Sequence, residues 1–319
     1  MKKTILLALI VLTSHSYAQT LPDTVTTITN IVLQTTTGKI SGSLSVPTTG
    51  KKFAVVLIIA GSGATDRNGN NGVAVTANSY KILADSLLQH HIASLRYDKR
   101  GIAESRITNA KEEDLSFEDY INDAAAWVAL LKKDKRFSTI IIAGHSEGSL
   151  IGMIAAKISN ANKYISIAGA GEPLYKTLKK QLAAQPDFIK NKCYPMLDTL
   201  VMGQFVTDVP PMLYSLFRPS AQPYLISLFK YNPALVIAKL TIPVLIINGT
   251  TDIQVSTTDA DSLHAACKQS KLVIIKGMSH LLKEAPTDRE KNIALYNSIP
   301  NEPIKNELVQ AIVNFIKTK

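Results

Sequence analysis

Apolar residues along the chain follow two alternating patterns. Phe53–Ala60, Thr139–Ala143, Pro243–Asn248 and Leu272–Ile275 are short runs with almost no polar face. The first three predict buried strands and the last a further strand. Ile92–Tyr97 and Tyr164–Ala168 read as further strands. Between them lie stretches of helical periodicity. Ala77–His90 carries Tyr80, Leu83, Ala84, Leu87 and Leu88 on one face, and Phe117, Ile121, Ala124, Val128 and Leu131 recur behind a capping Ser116. Leu150–Ile158, Thr258–Lys268 and Ile304–Lys317 complete the helices. Ile28–Gln34 and Lys39–Val46 flank Thr35–Gly38 and predict an antiparallel pair.

Strands alternating with amphipathic helices imply an α/β fold, a mostly parallel central sheet with helices on both faces. The alternation stops at residues 172–240. Strands vanish there, eight of the chain's prolines appear and aromatic residues are frequent, so the segment reads as an inserted, mainly helical cap. The predicted division is a core of residues 19–171 and 241–319 interrupted by that cap, with no internal repeat.

The first 18 residues form a separate unit. Lys2 and Lys3 precede the apolar run Ile5–Leu12, and Ser16-Tyr17-Ala18 supplies small residues at a cleavage site. The run falls short of the ~20 residues that span a bilayer. The pattern predicts a signal peptide, export to a periplasmic or extracellular space, and no stable membrane insertion after cleavage.

Composition narrows the function classes. The chain has 319 residues, 46% hydrophobic and 19% charged, which excludes a disordered chain. Its formal charge of +10 falls to +8 without the leader. The lysines are scattered, with no basic stripe interleaved with aromatics, so a nucleic-acid partner is not expected. Cys193 and Cys267 could pair in an oxidising compartment, but two buried thiols are the simpler reading. No metal-ligand spacing of the CxxC or HExxH kind occurs, and no metal or cofactor is expected.

The chemistry concentrates at Gly144-His145-Ser146-Glu147-Gly148. This is a G-x-S-x-G motif between a buried strand and a helix, the context in which a serine is lifted clear of a sheet on a strained turn. A serine hydroxyl needs a base, and the base an orienting acid. Asp252 follows the Pro243–Asn248 strand and His280 follows the last one, both at strand ends where α/β sheets place their sites. Asp259, Asp261, His264, His90 and His91 compete less well, because they fall within or at the ends of helices. His145 should pack or hydrogen-bond beneath the turn. For an oxyanion hole the backbone N–H groups of Glu147 and Ser62 are the expected donors. Asp66 with Arg67, and Asp98 with Arg100 and Gly101, read as loop-building groups.

Five stretches carry a resemblance: Ala60–Asn70, Arg96–Ser105, Gly144–Gly148, Gly249–Asp252 and Gly277–His280. Through them the chain resembles the α/β-hydrolase superfamily, specifically secreted bacterial serine hydrolases of the serine-aminopeptidase-like (esterase/peptidase) group. The resemblance implies Ser146 as nucleophile, Asp252 as acid, His280 as base, a cap over the site and no cofactor. Ala60 and Asn68 depart from it, since the group usually has His and Asp there. The expected function is carboxylic ester hydrolysis through an acyl-enzyme, on a small-molecule ester or short peptide substrate. The alternatives are an aminopeptidase using Glu147, Glu172 or Asp66 to hold an ammonium group, and an inactive binding protein on the same scaffold. Tyr194, Phe205, Tyr214, Phe217, Tyr224 and Phe229 are the candidates to line an apolar acyl pocket.

Overall fold

The computed structural model describes residues 26–72, 74–108, 111–183 and 185–318. The predicted signal segment lies outside them. Eight strands form the main path of a nine-stranded central sheet: β1 (Thr26–Thr35), β2 (Gly38–Pro47), β3 (Phe53–Ile59), β4 (Ala93–Tyr97), β5 (Phe137–His145), β6 (Lys163–Ile167), β7 (Val244–Gly249) and β8 (Lys271–Ile275); the ninth, the two residues Arg106–Ile107, pairs only with β2. Their spatial order is β1-β2-β4-β3-β5-β6-β7-β8. The expected hairpin is present, with Thr26 opposite Pro47 and Thr35 opposite Gly38. β2 also runs antiparallel to β4, and every pairing from β4 to β8 is parallel. Most of the apolar runs sit where both faces are covered, and every residue of β4 and β7 is buried, whereas β8 is an edge strand with Ile274 39% exposed.

Helices α1 (Ser79–Gln89), α2 (Phe117–Lys133) and α3 (Glu147–Ile158) follow β3, β4 and β5. The segment between β6 and β7 holds α4 (Leu174–Leu182), α5 (Asp187–Val201) and α6 (Gln222–Phe229), with shorter turns between them. After β7 come α7 (Thr257–Ala266) and α8 (Asn306–Lys317). One face of the sheet packs Leu83 and Leu87 of α1 with Leu308 and Ile312 of α8. The other packs Trp127 of α2, Ile151 of α3 and Leu263 of α7. Burying a side chain of this size contributes roughly 1.5–3 kcal/mol, so each stripe fixes its helix to the sheet.

The start of α2 shows how local chemistry sets a boundary. Ser116 Oγ accepts the Asp119 N–H, and the Asp119 carboxylate accepts the Ser116 N–H at 2.9 Å. This reciprocal cap satisfies two otherwise unpaired donors and stabilises the helix by about 1 kcal/mol.

The inserted helices have a core of their own, which includes Cys193, Leu197, Leu200, Phe217 and Phe229. They dock on α2 through aromatic contacts: Phe117 meets Tyr231 at 5.3 Å between ring centroids, and Tyr120 meets Tyr224 at 5.7 Å. The Phe117 N–H donates to Ser227 Oγ at 2.7 Å. Both cysteines are buried and free. No helix among the described residues is long and apolar enough to cross a membrane.

Candidate active site

Ser146 sits between β5 and α3 with φ 55° and ψ −122°, a conformation that costs a side-chain-bearing residue roughly 1–3 kcal/mol. The turn is pinned by the Ser146 N–H on the Ile167 carbonyl at 2.9 Å. Gly148 is required by close approach: a Cβ there would lie 2.5 Å from the carbonyl oxygens of Ile59 and Ala60. The missing side chain lets α3 aim its first N–H groups, which have no intrahelical acceptors, at the space beside the serine.

The candidate acid and base follow β7 and β8. His280 Nδ1 and Asp252 Oδ2 are 2.8 Å apart, with the side chains 7% and 1% exposed. Gly249 allows the two loops to meet, since a Cβ at that position would collide with the Met278 carbonyl. The second carboxylate oxygen of Asp252 accepts the N–H groups of Gln254 at 2.8 Å and Val255 at 2.9 Å. Burial alone would raise the Asp252 pKa. The facing His280, its hydrogen bond and those two N–H donors outweigh burial and hold the carboxyl below its usual range.

Ser146 and His280 line one cavity of about 150 Å³ together with Gly61, Ser62, Tyr80, His145, Gln254 and Tyr296. No hydrogen bond joins Ser146 Oγ to the imidazole among the described residues. Such contacts commonly tighten when substrate binds. A larger cavity of about 780 Å³ lies under the inserted helices, lined among others by Gly63, Ala64, Lys99, Tyr120, Glu147 and Tyr224. Neighbouring residues thus divide between the two spaces: Ser62 and Ser146 face the small cavity, Gly63 and Glu147 the large one.

Several expectations need correction. Of the six aromatic candidates for pocket lining, only Tyr224 borders the large cavity. Phe217 and Phe229 are buried in the inserted segment's own core, and Phe205 and Tyr214 are exposed at 60% and 46%. Tyr194 donates to the Lys179 carbonyl. The cavity is also less apolar than expected, because Arg100, Arg106, Lys111, Glu112 and Arg218 share its wall with Leu115, Leu216 and Leu225. Asp66 and Arg67 do not pair with each other. Arg67 binds Asp98 at 2.6 Å and Glu104 at 2.7 Å, while Asp66 accepts the N–H groups of Asn68 and Asn70. Asp259 is not a merely solvated group: it caps α7 and accepts the Gly171 N–H.

His145 hydrogen-bonds beneath the turn as expected, but the part Tyr80 plays in a buried relay there was not anticipated. The Gly61 N–H donates to Tyr80 Oη at 3.1 Å, and that oxygen lies 2.7 Å from His145 Nδ1. His145 Nε2 faces the His280 carbonyl at 3.0 Å, which can only accept, so the neutral ring carries its proton on Nε2 and Nδ1 accepts from Tyr80. Burial, then the neighbouring His280, push the His145 pKa down to about 3.

A pH dependence follows with a definite sign. Below its unfolded pKa of 6.5 the unfolded chain protonates His145, whereas the folded protein cannot. Stability is therefore lost as pH falls from about 6.5 towards 3. At pH 5 the loss relative to pH 7 is about 2 kcal/mol. Urea denaturation at the two pH values should show this change, and a His145→Gln variant should show less of it. An unchanged difference in the variant would assign the acid sensitivity elsewhere.

Comparisons with known proteins agree with this architecture. Residues 69–197 match the family described as serine aminopeptidase, S33. Esterase EstD of Thermotoga maritima is 27% identical over 255 residues, which are 77% of this chain and 59% of that protein. The chain thus spans about three-fifths of that relative's length. Among solved structures, Est1E of Butyrivibrio proteoclasticus with ferulic acid bound superposes with a TM-score of 0.61 at 20% identity, over 90% of this chain and 97% of that one. An esterase of Pyrococcus furiosus gives 0.57 at 14% identity, over 92% of each chain.

Proposed function

Starting from an α/β-hydrolase fold, we propose that the protein is a serine hydrolase that cleaves carboxylic esters. The observation that carries this reading is the His280–Asp252 pair at 2.8 Å opening onto the cavity that Ser146 lines. In the proposed reaction Ser146 Oγ attacks the ester carbonyl carbon and its proton passes to His280 Nε2. Asp252 holds the Nδ1–H and stabilises the charged ring. The N–H groups of Glu147 and Ser62 receive the oxyanion. The intermediate collapses, the alcohol leaves with the proton from His280, and water then releases the acid by the same steps.

Two observations favour esters over amino-terminal amides. The small cavity holding Ser146 is lined by no aspartate or glutamate among the described residues, and the acids that line the larger one are engaged: Glu147 with Lys99, Glu112 with Arg218, and Asp114 and Asp119 with backbone N–H groups at helix starts. The three acids considered for that role are already engaged: Glu147 with Lys99, Glu172 with Lys180, and Asp66 with its own loop. The relatives named above are esterases as well. On the purified protein, p-nitrophenyl esters should turn over far faster than aminoacyl-p-nitroanilides. Faster anilide turnover would overturn the ester reading in favour of peptide chemistry. The amino-terminal pattern supports an exported enzyme.

The two cavities suggest which half of the ester goes where. The leaving oxygen must reach His280, which lines only the small space, so the alcohol belongs there. A cavity of about 150 Å³ holds a group near the size of benzene. The acyl chain then runs past Glu147 into the larger space. Ethyl 3-phenylpropanoate and 3-phenylpropyl acetate are isomers with the bulk on opposite sides. The first should have the higher kcat/KM by roughly tenfold, the scale on which pockets discriminate by size. A ratio below one would reverse the assignment.

A further inference from the structure

Lys99 is an unusual side chain: a lysine only 1% exposed, on the turn after β4. Its ammonium donates to the Gly61 carbonyl at 2.6 Å and to Glu147 Oε1 at 3.3 Å, and lies 5.0 Å from the centre of the Tyr120 ring. The turn is itself fixed, because Asp98 accepts the Arg67 N–H and guanidinium, and Arg100 is held by Asp123 at 2.5–2.6 Å. Lysines are rarely buried without a specific partner. Here the partners are the two chain segments expected to carry the oxyanion donors.

The geometry of one peptide unit gives this contact a consequence. The Gly61 carbonyl and the Ser62 N–H belong to the same planar trans amide, so they point in opposite directions. Anchoring the carbonyl on Lys99 turns the Ser62 N–H to the other side. Gly61 lies directly against the nucleophile, since a Cβ on it would be 3.2 Å from Ser146 Cβ. The Ser62 N–H has no acceptor among the described residues. Tyr80 holds the preceding N–H, that of Gly61, so the loop is gripped on both sides of this unit. Ala60 contributes no polar side chain to that task.

We infer that Lys99 is a positioning residue that locks the Gly61–Ser62 peptide with its N–H turned towards the oxyanion, and ties that loop to the start of α3 through Glu147. The ammonium also polarises the amide and makes its N–H a stronger donor. The inference rests on the serine-hydrolase reading but can fail separately from it. Ester turnover and fluorophosphonate labelling of the unaltered enzyme test that reading first.

A Lys99→Met variant keeps most of the side chain's volume and removes the donor. Misplacing one oxyanion donor lowers kcat by about 10²–10³-fold. Lys99→Met should therefore lose kcat on that scale with little change in KM. Affinity for a trifluoromethyl ketone, which forms a tetrahedral oxyanion on Ser146, should fall by a similar factor. If this variant does not fold, Lys99→Arg retains the buried charge while displacing the donor, and it should show the same paired losses. Wild-type kcat in a folded variant, a change in KM alone, or lost kcat with undiminished ketone affinity would each overturn the inference.

Discussion

Exchange of Ser146 for alanine should reduce ester turnover by about 10⁴–10⁶-fold, because without the hydroxyl no acyl-enzyme can form and only binding and the oxyanion donors remain. Covalent labelling by a fluorophosphonate should vanish with it. The same position makes an opposite prediction for stability. Ser146 holds φ 55° and ψ −122°, a conformation that alanine finds as strained as serine does. Ser146→Ala should therefore melt close to the unaltered protein. Ser146→Gly, free of the Cβ, should recover part of the roughly 1–3 kcal/mol of strain and melt higher by about 1.5 °C per kcal/mol in a chain of 319 residues. Measured activity and melting temperature for the pair would thus separate the serine's chemistry from its structural cost. Residual turnover within tenfold of the unaltered enzyme in either variant would remove Ser146 from the mechanism.

The parts of this arrangement that were legible in the sequence are those encoded locally. Each of Ser146, Asp252 and His280 follows an apolar run within a few residues, so its place at a strand end could be read from the pattern. The face of α2 was equally readable, because Phe117, Ile121, Ala124, Val128 and Leu131 are all buried at helical spacing. What escaped depends on contacts between distant segments. Tyr80 looked like one more apolar position on α1, yet its hydroxyl joins Gly61 to His145. Lys99 lies in a charged turn whose polarity suggests a solvated loop, and nothing local signals that its ammonium is buried. Tyr296, whose hydroxyl accepts from Gln254 at the small cavity, lies in a stretch left without a predicted element. The inserted segment misled for a related reason. Its aromatics could not be divided between its own core and the cavity, because several short helices with many prolines leave no single periodic face to read.

Replacing Asp252 by asparagine should lower kcat/KM by about 10⁴-fold at neutral pH. The cause can be derived from the hydrogen bonds around the carboxylate. One oxygen accepts the N–H groups of Gln254 and Val255, and the other faces His280 Nδ1. An asparagine must keep its oxygen on the two backbone donors, because its amide nitrogen has nothing to accept with there. Its NH₂ is then turned towards the imidazole and donates to Nδ1. The ring is forced into the tautomer with its proton on Nε2, and the atom that should receive the Ser146 proton already carries one. The charge that stabilises the imidazolium is lost as well. Fluorophosphonate labelling should slow in proportion to ester turnover, since both begin with the same deprotonation. The variant should remain folded near neutral pH, as the loop keeps its two backbone hydrogen bonds. A variant that is folded and still within tenfold of the unaltered enzyme would show that Asp252 does not set the tautomer of His280.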